Sequence, residues 1–71
     1  MLLSDAQEHG EYTVVRCGDV SEKVSAKLAS LGIVTGQRIS VLSSTYAGLI
    51  VEVKGSRLAV GKSLARELVV T

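Results

Sequence analysis

The hydrophobic and polar positions of this chain follow two different periods, with the change falling at Gly32–Gly36. Before it, Val20, Val24, Leu28 and Leu31 recur at helical spacing and fall within an arc of about 80° at 100° per residue, the apolar stripe of an amphipathic helix. Asp19 followed by Glu22 reads as a capping pair, and Gly32 supplies a left-handed stop. A helix over Val20–Leu31 is therefore predicted. Lys27 lies at the margin of the stripe, where its stem can cover apolar surface while its ammonium reaches water. The opposite face, with Glu22, Ala26, Ala29 and Ser30, is small-sided. It reads either as a solvated helix surface or as a smooth patch for a closely approaching partner.

After Gly36 the period is two. Gln37–Ser43 alternates through Ile39 and Val41; Leu49, Val51 and Val53 alternate with Ile50, Glu52 and Lys54; Leu58 and Val60 point inward on a further short strand. Gly55-Ser56 is read as the two-residue hairpin turn between the last two. Upstream, Tyr12–Cys17 is rich in Thr and Val and reads as the first strand, ended by Gly18-Asp19. Residues 2–9 are compatible with a short helical turn capped by Ser4 or Asp5, Ser63–Glu67 with another, and Leu68–Val70 with a closing strand. Several short strands with one helix suggest a small barrel of about five strands, mostly β, whose closure would remove exposed Val-rich edges.

At 71 residues, 1–71 make a single domain with a small core. Cys17 is the only cysteine, so no internal disulfide can staple the fold, and an unpaired thiol suits a reducing compartment. Stability must come from aliphatic packing, consistent with 46% hydrophobic residues and no Phe or Trp. The net charge of +1 gives no electrostatic grip on nucleic acid, and Tyr12 and Tyr46 alone cannot build a stacking platform for single strands. No targeting signal and no apolar run long enough for a membrane span is visible, which predicts a cytoplasmic protein without direct membrane insertion. The initial Met and the end at Thr71 fit a complete small protein.

Catalytic and metal motifs fail on spacing. Gly61-Lys62-Ser63 echoes the end of a phosphate-binding loop, but the required preceding glycine falls at Ser56, with Gly55 one residue too far. His9 and Cys17, even with Glu8 and Glu11 nearby, lack the ligand spacing of structural zinc, and one His cannot serve a catalytic triad. No enzyme, cofactor or metal ligand is expected. The segment 43–48 links two strands and carries Tyr46, which reads either as half-buried packing or as a partner anchor. We place a candidate interface on the 43–49 loop, with Tyr46 and Leu49 as anchors and Lys27 and Arg57 as rim charges.

The run Lys27-Leu28-Ala29-Ser30-Leu31-Gly32-Ile33-Val34-Thr35-Gly36 resembles the signature of the FeoA family of ferrous iron transport proteins. The later order also fits: Ile39, Val41, Gly48, Ile50-Val51-Glu52-Val53, Gly55, Leu58-Ala59-Val60, Ala65 and Val69-Val70, with Leu3 and Gly10 near the start. Two departures are Thr35 where the family usually has proline, and Gly48-Leu49 where it has Gly-Pro. The resemblance implies an SH3-like barrel acting as a cytoplasmic accessory of ferrous iron transport, with the cytosolic GTPase domain of a FeoB-type membrane transporter as partner. It leaves homo-oligomerisation, and metal binding at a dimer contact, open. A rival reading is the regulatory SH3-like domain of iron-dependent repressors; a third is a nucleic-acid-binding small barrel.

Overall fold

The computed structural model describes all residues from Met1 to Thr71. After a 3₁₀ turn at Leu3–Asp5 the chain forms β1 (Glu11–Cys17), α1 (Glu22–Ser30), β2 (Arg38–Ser44), β3 (Gly48–Val53), β4 (Ser56–Gly61), the single-turn helix α2 (Lys62–Ala65) and β5 (Leu68–Val70). The five strands hydrogen-bond in the order β4-β3-β2-β1-β5, every pair antiparallel. β1 changes partner along its length, pairing with β2 through Glu11–Thr13 and with β5 through Val14–Cys17. Register shifts at Val14/Arg16 and Val41/Ser43 mark bulges, which bend strands and let one sheet curl around its own core.

The alternation read from the sequence selects the inner face. Ile39, Val41, Leu49, Val51, Val53 and Val60 are buried, joined by Leu68, Val70, Leu3, Val14 and Leu28. No polar or charged residue is buried, so the interior is purely aliphatic.

Several local expectations are corrected. The helix starts two residues later than predicted, because Ser21, not Asp19, is its cap: the Ser21 hydroxyl accepts from Val24 N–H at 3.2 Å. The Asp19 amide instead donates to the Glu67 carboxylate. At the other end Gly32 (φ 91°) closes the helix as predicted. Ile33 N–H reaches Leu28 O at 2.9 Å and Gly32 N–H reaches Ala29 O at 3.0 Å, the paired bonds of a Schellman stop. The β3–β4 turn is Lys54-Gly55 rather than Gly55-Ser56. Both have positive φ (51° and 80°), as a type I′ turn needs, and Ser56 is already paired with Val53.

The helix is also less deeply seated than its stripe suggests. Only Leu28 is buried, while Val24 and Leu31 remain 36% and 38% exposed. The barrel does not close by hydrogen bonds either, since β4 and β5 stand at opposite ends of the strand order. The free side of β5 is covered by the chain's own start, through a Leu2↔Val69 bridge and paired bonds between Met1 and Val70. No helix is long and apolar enough to cross a membrane.

Candidate functional site

No group of three or more His, Cys, Asp or Glu side chains is gathered for a metal ion. His9 is exposed in the turn before β1 and Cys17 ends β1, so about 20 Å of strand separates the two soft ligands. Lys62, the cation of the phosphate-loop echo, is occupied elsewhere: its Nζ lies 3.3 Å from Ser4 O and 3.4 Å from Thr45 O. Gly61-Lys62-Ser63 thus opens a helix of one turn and fastens neighbouring segments together.

The four residues assigned to an interface separate into different roles. Tyr46 is 95% exposed at the tip of the β2–β3 hairpin, where Thr45 and Gly48 exchange both backbone bonds around a two-residue turn. It packs against nothing, which removes the half-buried reading and leaves a projecting aromatic ring. Leu49 is corrected outright. It is 2% exposed, paired between Ser44 and Val60 on a central strand, and belongs to the core. The error follows from strand period: the residue after Gly48 already alternates inward, in phase with Val51 and Val53. Arg57 is exposed on β4 opposite Glu52, towards the far end of the β3–β4 hairpin from Tyr46. The two therefore do not share one loop-centred patch.

Lys27 lies on a different feature, an apolar groove of about 250 Å³ between α1 and the β4–α2 segment. Val24, Leu28 and Leu31 form its helical wall, and Leu58, Ala59 and Leu64 the opposite one, with Lys27 as its only charged lining residue. An open groove this apolar keeps hydrophobic surface in water, at about 25 cal/mol per Å² that a partner would recover on covering it. Sequence periodicity pointed to Val24 and Leu31, but as core; the stripe has the same spacing whether a helix is fully covered or half covered. α2 joins the two surfaces, since Leu64 lines the groove while Lys62 N–H donates to Ala47 O of the Tyr46 hairpin at 3.1 Å.

Comparison with known proteins places this architecture. The FeoA domain family model matches residues 1–71. A relative from Methanocaldococcus jannaschii named Fe(2+) transport protein A is 32% identical over 68 residues, spanning 96% of this chain and 82% of its own length. Among solved structures, an iron uptake regulatory protein (FeoA) superposes with TM-score 0.88 at 34% identity, covering 99% of this chain and 93% of that one. FeoA of Stenotrophomonas maltophilia, described as a procaryotic SH3 domain protein and solved with zinc, gives TM-score 0.85 at 26% identity, covering 100% and 89%. A manganese-dependent transcriptional repressor, at 24% identity, TM-score 0.84 and 96% of this chain against 39% of its own, shares the fold alone. The SH3-like fold and the match along the whole sequence agree: the chain belongs to the FeoA family.

Proposed function

We propose that this chain is a non-catalytic, cytoplasmic accessory of ferrous iron transport that binds the cytosolic GTPase portion of a FeoB-type transporter. The observation that carries the reading is the open groove between α1 and β4–α2, whose apolar walls are unfilled by the chain itself. The aliphatic interior holds no charged group to do chemistry, and the surface gathers no metal-ligand cluster. What it offers a partner is area: Val24, Leu31, Leu58 and Leu64 in the groove, and Tyr46 as a projecting aromatic ring beyond α2. Lys27 and Arg57 serve as rim charges that affect association rate more than affinity.

A pull-down of the transporter's cytosolic domain by the purified chain tests this, with Leu31→Asp as the groove variant and the exposed Lys23→Gln as control. Capture by wild type and control, lost with Leu31→Asp while the variant stays folded, supports the reading. Equal capture by all three removes the groove from the interface. The nucleic-acid reading is opposed by the net charge of +1 and by the single exposed aromatic, Tyr46.

A further inference from the structure

The ladder between β3 and β4 shows which backbone groups of β4 remain unused. A two-residue turn at Lys54-Gly55 makes Val53↔Ser56 a hydrogen-bonded pair, and the pattern then alternates, so Val51↔Leu58 and Leu49↔Val60 are bonded as well. The phase is confirmed from the far side: Gly48 exchanges its bonds with Thr45, so Gly48, Ile50 and Glu52 turn their backbones towards β2. Arg57, Ala59 and Gly61 therefore direct their N–H groups away from the sheet, and no turn, loop or side chain bonds to them. Arg57 and Ala59 direct their carbonyls the same way. This row spans about 13 Å, with no register shift and no proline along β4. The contrast with β5 is sharp, because that edge is covered by Met1 and Leu2.

The unused edge borders the apolar groove, which Leu58, Ala59 and Val60 line from the sheet and Val24 and Leu31 from the helix. We infer that this edge is a site of strand addition, at which an extended segment of a partner protein pairs with β4 and lies between it and α1. Main-chain bonds to Arg57, Ala59 and Gly61 would give affinity, and alternate side chains would enter the groove. The pattern of the segment follows from period two: leucine- or valine-like residues at alternate positions face Leu58 and Val24, and the residues between them face outward beside Arg57. Those outward residues should include acids. Arg57 is exposed beside them and forms no ion pair with Glu52 across the ladder, since the chain's single salt bridge is Arg38–Glu11 elsewhere.

A second copy of this chain fits less well. Pairing β4 with β4 about a two-fold axis perpendicular to the sheet places both α1 helices on the same side, each in the space beside the other's edge strand. A lone extended segment brings no such helix.

The inference rests on reading the chain as a binding module, and its test is independent of the transporter. A display library of random eight-residue segments is selected on the wild-type chain and on Ala59→Pro, which removes one outward N–H without breaking a ladder bond. Ala59→Thr keeps the N–H and serves as the conservative control. We expect enriched segments with alternating apolar and acidic positions, bound by wild type and Ala59→Thr but about ten-fold or more weaker by Ala59→Pro. In the wild-type complex, amide exchange at Arg57, Ala59 and Gly61 should slow, a readout unaffected by any misfolding of the proline variant. No enrichment, equal binding to Ala59→Pro, unchanged exchange at those three amides, or β4-dependent dimerisation in sedimentation would each overturn it. Failure of the transporter domain to bind, with these results in hand, would instead count against the proposed function.

Discussion

Replacing Leu49 by alanine separates a core residue from an interface anchor by magnitude alone. The side chain is 2% exposed on β3, with β2 and β4 paired on either side, so the walls of the vacated space cannot move in far. Three buried carbons at about 0.8 kcal/mol apiece come to about 2.4 kcal/mol of lost transfer energy. A residual void of about 50 Å³ adds about 1.2 kcal/mol at about 24 cal/mol per Å³. The resulting loss of about 3.6 kcal/mol falls within the roughly 3–5 kcal/mol that a single core of this size supplies. Leu49→Ala should therefore be at or near half-unfolded in plain buffer. Urea titration followed by circular dichroism reads this directly: at a slope of about 1 kcal/mol per molar, the midpoint should fall by about 3.6 M or vanish. Tyr46→Ala, at a 95% exposed tip, should leave the midpoint where it was. A Leu49→Ala midpoint within about 0.5 M of wild type would refute the burial and restore Leu49 as an anchor candidate.

Other outcomes follow from the same packing. Leu28→Ala should cost about 2–3 kcal/mol, the lower part of the range for such truncations, because the groove beside α1 lets the site relax; thermal melts with wild-type stability would detach the helix from the core. Gly48→Ala should destabilise by about 1–3 kcal/mol, since a Cβ there would stand 2.5 Å from the Val60 carbonyl oxygen and push β3 from β4; an unchanged melting temperature would contradict that close approach. Calorimetry with GTP or ATP should show no tight binding, because the Lys62 ammonium is already shared between Ser4 and Thr45 carbonyls; micromolar affinity lost on Lys62→Ala would overturn this.

What could be read from the sequence was the local part of the fold. Ile39, Val41, Leu49, Val51 and Val53 reveal their common face because a strand's period is two, and Gly32 ends its helix because a left-handed residue must stand there. The choice of Ser21 over Asp19 as cap was not readable, because Asp19 N–H is drawn to Glu67, 48 positions away. The cover over β5 was hidden for the same reason, since it depends on Met1 and Leu2 meeting Val69 and Val70. Leu49 was given two roles, inward by its period and an anchor by counting the 43–49 stretch as loop; the strand begins at Gly48, so the period was right and the anchor wrong. The groove escaped because four apolar residues at helical spacing do not disclose how many of them the core will cover. Only Leu28 is covered, and Val24 and Leu31 are left to face outward.

The central claim is that an apolar surface of this chain engages the transporter's cytosolic GTPase portion, and a calorimetric titration of the two at two salt concentrations tests it most directly. Burial of aliphatic side chains predicts saturable binding whose affinity changes little between about 50 mM and about 200 mM salt, and which weakens by about ten-fold or more with Leu31→Asp. Absence of saturable binding, or an affinity that collapses with salt while Leu31→Asp binds like wild type, would contradict the account.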